Sequence, residues 1–330
     1  MITVVAVAIG VASQGGCGGG GRQPRSQLEG TEIAVSRGTT YLTVGPDQNV
    51  WFAGSQDGVF GFITPTGTVT EFQYGNVGSF TGSITAGPDG NLWITESGFG
   101  MIVQATLAGK ITAQFTPTES SGPKGIVTGP DGNLWFTEVA SGGLGYNIGR
   151  VTPSFVFGEF RIPSGGVPQE ITAGPDGNLW FTEISDAIGR ITPGGAIAEF
   201  PTGTRNQFIS GIVSGPDGAL WFVSDTSGHT DALVGRITTD GNVKTFPLPE
   251  GDCAPRAIAV GSDGNLWFTE STANAIGRMT PSGGLTEFAV PTESRWLPSI
   301  IAGPDGNLWF ADPVAVSSSG KVYYFNPSAL

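Results

Sequence analysis

The sequence predicts an all-β fold, a seven-bladed β-propeller of four-stranded antiparallel blades whose N-terminal strand closes the seventh blade. Three observations predict it. The motif Gly-Pro-Asp-Gly-Asn-Leu-Trp-Phe recurs seven times with little change, and its tryptophans, Trp51, Trp93, Trp135, Trp180, Trp221, Trp267 and Trp309, are spaced by 42, 42, 45, 41, 46 and 42 residues. That interval is the length of a propeller blade. Each interval also carries the same order of short alternating runs and turns, and the first and last intervals are incomplete in complementary ways.

Blade four shows the internal order. Glu170 to Ala173 (EITA) alternates and reads as the inner strand, and Gly174-Pro175-Asp176-Gly177 reads as a turn with Pro pre-set in φ and Gly in the left-handed position. Asn178 to Glu183 (NLWFTE) is the second strand, Ile188 to Thr192 (IGRIT) the third, Pro193-Gly194-Gly195 a turn, and Ala196 to Phe200 (AIAEF) the outer strand. Strand alternation sends Leu179 and Phe181 to one face and Trp180 to the other, so both faces are apolar. One blade cannot cover two apolar faces, so packing between blades must supply most of the stability.

The closure is legible too. The last copy runs from Pro298 through Trp309 to Lys321-Val322-Tyr323-Tyr324-Phe325 and stops at Leu330, which leaves three strands. Ahead of the first copy lies Thr31-Glu32-Ile33-Ala34-Val35, an orphan that resembles the outer strands Thr70-Glu71-Phe72 and Thr286-Glu287-Phe288. It is expected to complete blade seven and so remove two exposed sheet edges. A second expectation concerns charge: Arg150 and Glu159, Arg190 and Glu199, and Arg278 and Glu287 are each nine residues apart around a turn. Centred on that turn, each pair would face across a hairpin and contribute about 0.2 to 1 kcal/mol to the scaffold.

Composition narrows the function. Gly makes up 54 of 330 residues, above the usual share of about 7 %, which suits many tight turns. With 28 acidic against 15 basic side chains the net charge is −13, which repels a phosphate backbone, so nucleic acid is not an expected partner. Residues 1–29 read as an export segment and Gly-rich linker, ahead of a propeller domain at 30–330. Met1 to Ala12 is almost wholly apolar, too short to span a bilayer yet suited to a signal peptide core, though no Lys or Arg precedes it. Small residues before Cys17 and the glycines Gly18 to Gly21 after it resemble a lipoprotein processing site, with Gln14 where an aliphatic residue is usual. Cys17 is therefore the candidate for lipidation and membrane anchoring, with a plain secretory signal as the alternative; either way the chain is expected to be exported to the periplasm or cell exterior. Only Cys253 remains besides it, so no disulfide framework is expected, and Cys253 reads as a small hydrophobe in a loop.

Chemistry is expected where the start of each inner strand meets the end of the second, at one mouth of the central channel. The strand-end positions, three residues after each Trp, are Gly54, Glu96, Glu138, Glu183, Ser224, Glu270 and Asp312. Five carboxylates facing one mouth could hold a hard cation such as Mg²⁺; the plainer alternative is that each Glu ends its strand as part of the repeat. The strand starts supply Ser83, Gly125, Glu170, Gly211, Ala257 and Ser299, with Lys124, Gln169, Ser210 and Arg256 immediately before four of them. His229, in the Gly228-His229-Thr230 loop, is the single histidine. A lone loop histidine is more often incidental than catalytic. No Ser/His/Asp set, zinc cluster or phosphate loop is present.

Taken together, the Gly-Pro-Asp-Gly-Asn-Leu-Trp-Phe-Thr-Glu, Ile-Gly-Arg-Ile-Thr-Pro and Thr-Glu-Phe units resemble the virginiamycin B lyase (streptogramin lyase) family over about residues 40 to 326. The resemblance implies a seven-bladed propeller and, in members that act as lyases, ring opening of a cyclic depsipeptide at its ester by elimination, with histidine base chemistry and Mg²⁺ held partly by glutamate. It places the histidines two residues before the inner-strand isoleucine and fourteen before the strand-end glutamate. Here those units read Pro123-Lys124-Gly125-Ile126, Pro168-Gln169-Glu170-Ile171, Ile209-Ser210-Gly211-Ile212 and Pro255-Arg256-Ala257-Ile258. Arg256 stands fourteen residues before Glu270, with Ala254 where a metal-binding glutamate would be expected. Arginine stays protonated and cannot act as a general base, which leaves Glu270 as a metal-ligand candidate and Glu270, Arg256 and His229 as the weak catalytic candidates.

The expected function is therefore a propeller that binds a small-molecule or protein ligand at its channel mouth without streptogramin lyase activity. The candidate binding residues are Glu96, Lys124, Glu138, Gln169, Glu170, Glu183, Ser210, Arg256 and Asp312. The alternatives are a lyase with altered catalytic groups, a metal-dependent lactonase-like hydrolase, and a structural surface protein.

Overall fold

The computed structural model describes residues 25–36, 38–54, 58–73, 81–115, 121–140, 146–184, 186–204, 207–226, 231–249, 253–292, 295–313 and 320–330. These form seven sheets, one per repeat, six of them with four strands and blade six with a fifth. In blade four the strands are Pro168–Ala173, Leu179–Glu183, Ala187–Ile191 and Ile197–Pro201, all antiparallel neighbours.

The repeated motif is explained by what its aspartate and glycines do. In every copy the Asp accepts a hydrogen bond from the indole of the Trp four residues on: Asp47 to Trp51 at 2.9 Å, Asp176 to Trp180 at 3.0 Å and Asp305 to Trp309 at 3.1 Å are examples, and the other four lie between them. The same carboxylate takes the side-chain amide of Asn178 at 2.7 Å and its backbone N–H at 3.2 Å. Partial burial works to raise the carboxyls of Asp89, Asp131, Asp176 and Asp217, but the donors around each of them together hold it below the usual carboxylate range. Gly177 adopts φ 73°, which the turn requires. Gly189 of the third strand is Gly for a different reason: a Cβ there would stand 2.0 Å from the Phe181 ring.

Each tryptophan then crosses to the next blade. Trp135 packs on Leu179 and Phe181, Trp180 on Leu220 and Phe222, Trp221 on Leu266 and Phe268, and Trp267 on Leu308 and Phe310. The last interface joins Trp309 of blade seven to Val50 and Phe52 of blade one, so seven equivalent interfaces close the circle. Thr31–Val35 is the outer strand of blade seven, paired antiparallel with Gly320–Phe325 from Thr31 opposite Tyr324 to Val35 opposite Gly320. Ile33 and Val35 enter the same closing cluster, and Glu32 takes the hydroxyl of Tyr323 at 2.8 Å and the ammonium of Lys321 at 3.0 Å.

Two expectations are corrected. The Arg/Glu pairs nine residues apart do not face each other: Arg150 lies opposite Gly158, Arg190 opposite Ala198 and Arg278 opposite Thr286, while each Glu lies opposite the third-strand Gly. The loop leaves the register one residue off, and a shift of one sends the partners to opposite faces. The arginines instead cap stacked Trp/Phe pairs, as Arg190 does at 5.6 Å from the Trp180 ring and 5.4 Å from Phe200. The second correction concerns the chain before residue 30. Ser26–Gln27 pairs parallel with Leu285–Ala289 as the fifth strand of blade six, and Leu28 is buried beside Phe288 and Phe325. Packing on the propeller thus reaches back to Arg25, inside the stretch expected to be linker.

Candidate functional site

The inner strands build the channel mouth through a repeated irregularity. In blades three to six the inner strand pairs with the strand-end position, breaks register, and resumes three residues later: Pro123 opposite Glu138 then Ile126 opposite Phe136, Pro168 opposite Glu183 then Ile171 opposite Phe181, and likewise at Ile209 and Pro255. Two residues are left out of the ladder in each of these four blades, and one, Thr40 or Gly82, in blades one and two, a bulge of the kind that re-aims side chains beside binding sites. The repeat sets these positions in two layers. The upper layer, two residues before the inner-strand aliphatic, is Thr40, Gly82, Lys124, Gln169, Ser210, Arg256 and, by the register of Ile300 with Phe310, Pro298. The lower layer is Tyr41, Ser83, Gly125, Glu170, Gly211, Ala257 and Ser299.

The strand-end carboxylates lie elsewhere than an open mouth. Glu96, Glu138, Glu183, Glu270 and Asp312 are all 1 % exposed or less, one strand removed from the channel. Where their partners are defined they are clamps for incoming chain. In blade four Ser164 Oγ donates to Glu183 at 3.4 Å while its N–H donates to Glu199 at 3.1 Å. In blade six the same two positions, Glu270 and Glu287, receive the guanidinium of Arg25 at 3.2 and 2.7 Å, and Arg25 also donates to the carbonyl of Ala273 at 3.1 Å. Cys253 is fully buried beside Trp221 and Leu248 and lies close enough to Glu270 and Glu287 for one atom from each to fall within 4.8 Å of the others. A thiol and two carboxylates already holding a guanidinium do not fit Mg²⁺, which requires an octahedral shell of oxygens. His229 and Cys17 lie outside the described residues.

The electrostatic centre of the mouth is instead on blades three and four. Burial pushes the Glu170 carboxyl up to about 7, with the Lys124 ammonium pulling the other way. Burial lowers Lys124 itself, partly offset by Glu170. Across the channel the Tyr41 phenol is raised, first by burial and then by the charge of Glu170. Lys124 Nζ donates to Gln169 Oε1 at 2.9 Å, and Gln169 Nε2 donates back to the carbonyl of Pro168 at 2.7 Å. Gly125 makes room for this group, since a Cβ there would meet Glu170 Oε2 at 3.2 Å. Ser210 Oγ donates to the Pro255 carbonyl at 3.1 Å, and Arg256 is exposed.

Around this polar arc stand three exposed aromatics. Phe99 follows the second strand of blade two, Phe208 begins the inner strand of blade five, and Trp296 precedes that of blade seven; each is about half exposed. Connections of these two kinds all emerge on the mouth side. The sequence reading missed this rim, because single apolar residues in loops carry no periodic signal. It missed Tyr41 as well, whose position the repeat count alone defines.

Residues 27–164 and 226–322 match the virginiamycin B lyase family. The chain belongs to the virginiamycin B lyase family. A solved streptogramin B lyase shares 31 % identity, covering 89 % of this chain and 97 % of that one, with a TM-score of 0.79. The virginiamycin B lyase of Staphylococcus aureus, solved as a catalytically inactive histidine-to-alanine variant with quinupristin, shares 33 % identity over 90 % of this chain and 99 % of its own, with a TM-score of 0.78. Hydrazine synthase of Kuenenia stuttgartiensis matches at 15 % identity and a TM-score of 0.70, a likeness of fold alone. A search of curated proteins finds no match.

Proposed function

We propose that this virginiamycin B lyase family member is an exported propeller that binds a small-molecule or protein ligand at its channel mouth and does not open streptogramins. One observation carries the reading: none of the seven upper-layer positions, where the resemblance places the family's histidines, holds an imidazole. Arg256 and Pro298 occupy the slots of blades six and seven, fourteen residues before Glu270 and Asp312. Neither side chain can take a proton near neutral pH. What the mouth offers is recognition: a polar arc of Lys124, Gln169, Ser210 and Arg256 beside the apolar rim of Phe99, Phe208 and Trp296, the mixture that ligand sites use. Export rests on the apolar run of residues 1–12 and on Cys17, and mass spectrometry of the mature N-terminus tests it directly.

An enzyme of altered chemistry is the second reading, favoured by the proximity of Glu170 and Lys124 in charge, since neighbouring groups with displaced pKa values mark proton-transfer sites. Incubating the folded chain with quinupristin and Mg²⁺ separates the two. Intact antibiotic, together with saturable binding, supports the binder. Ring opening that disappears in Glu270→Gln overturns it in favour of a metal-assisted lyase, and ring opening lost in Glu170→Gln favours chemistry at blades three and four.

A further inference from the structure

The charges of the upper layer run against those of the whole molecule. The chain holds 28 acidic and 15 basic side chains, yet the seven upper-layer positions carry two cations, Lys124 and Arg256, and no carboxylate. The two stand three blades apart, on opposite sides of the mouth. Four other arginines of the propeller are committed to the scaffold: Arg150, Arg190 and Arg278 cap Trp/Phe pairs, and Arg236 is paired with Asp217 at 2.6 Å. Among the described residues, the exposed side chain of Arg256 makes neither an ion pair nor a hydrogen bond. Lys124 has no carboxylate within ion-pair distance there, only the neutral Gln169 oxygen, which leaves two of its three donors for something else.

We propose that the mouth captures a small organic anion bearing carboxylates between Lys124 and Arg256, and that capture draws a proton from solvent onto Glu170. The inference rests on the mouth-binding reading and names its ligand class. Glu170 lies one residue below the layer that would hold the anion. The charge that reaches it is the Lys124 ammonium on blade three, and its own charge reaches the neutral Tyr41 phenol on blade one. On the strands beside it, Gly125, Gly211 and Ser210 carry no charge. A bound carboxylate does two things to this group: it sets a second negative charge beside Glu170, and it takes up the field of Lys124 that now favours the ionised carboxyl. Both effects favour the protonated acid. By linkage the anion must then bind more tightly as pH falls through the range where Glu170 titrates.

Succinate titrated calorimetrically into the full chain is the probe. If binding raises the Glu170 carboxyl by one unit from about 7, affinity is expected to be about five-fold higher near about pH 6 than near about pH 8. Buffers of different ionisation heat are expected to report net proton uptake. Lys124→Met and Arg256→Gln, with circular dichroism confirming the fold, are expected to weaken binding at least about ten-fold, whereas Lys124→Arg retains it and Glu170→Gln binds equally at both pH values. Absence of succinate binding, Lys124→Met binding as wild type, or a wild-type affinity that ignores pH each overturns the inference. Succinate failing while quinupristin still binds defeats the ligand class and leaves mouth binding standing; both failing defeats mouth binding too.

Discussion

The ring closure makes a demanding quantitative prediction at Ile33. This side chain sits in the N-terminal strand, 3 % exposed, in one cluster with Leu42, Phe52, Trp309 and Val322. It therefore touches blade one and blade seven at the seam where the two chain ends meet. Ile33→Ala removes three buried carbons from a site walled by two sheets that cannot both collapse inward, so a cost of about 3 kcal/mol is expected, mid-range for such truncations. For a chain of this size each kcal/mol lowers the melting temperature by about 2 °C, giving a drop of about 6 °C. Ala34 on the same strand is exposed, and Ala34→Ser is expected to stay within about 1 °C of wild type. Calorimetric melting with a rescan for reversibility is the assay. Ile33→Ala melting with the wild type would mean that the strand merely lies on a ring that is closed without it, and the closure reasoning would be refuted.

The remaining predictions concern the clamps, the repeat and the mouth. Arg25→Ala strips the guanidinium from the fully buried Glu270 and is expected to cost about 3 kcal/mol in denaturant unfolding, with much of the loss recovered in the Arg25→Ala, Glu270→Gln double variant. Asp176→Ala leaves the Trp180 indole without its acceptor and is expected to cost about 2 kcal/mol, read by the same melts. For Glu170 the sign follows from a folded-state carboxyl held at about 7 against its ordinary 4.5. Its favourable contribution is complete below the unfolded value and is lost as pH rises toward the folded one, by at most about 3 kcal/mol. Stability measured between about pH 4.5 and about pH 7 is thus expected to fall more in wild type than in Glu170→Gln, and parallel curves would contradict the placement of Glu170 in a desolvated mouth.

The fold was legible because its signals are local and repeated. Asp, Gly, Asn and Trp recur at fixed offsets, since every copy solves the same problem of holding an indole between sheets, and the orphan Thr31–Val35 matched the missing strand by composition. The Arg/Glu register was misread because alternation defines which residues share a face only once the loop length between strands is known, and one residue inverts the answer. Arg25 was invisible for another reason. Its partners Glu270 and Glu287 lie more than two hundred positions away, and a stretch following Gly18 to Gly21 looks like tether until something receives it. Of the mouth, Lys124, Gln169, Glu170, Ser210 and Arg256 were visible as strand starts, while the strand-end carboxylates looked open and are buried, because a residue repeated at the same place in every blade reads alike whether it faces solvent or a neighbouring loop. Tyr41 is marked by the repeat count alone, and the rim of Phe99, Phe208 and Trp296 belongs to positions that no pattern marks.

The most direct measurement is chromatography of quinupristin after incubation of the folded chain with the antibiotic and Mg²⁺, beside a streptogramin B lyase as positive control. A mouth built for recognition, with arginine and proline standing in the slots of blades six and seven, is expected to return the antibiotic with its ring intact while the control consumes it. A ring-opened product above the no-protein background would contradict that account and move the chemistry to Glu170 or Glu270.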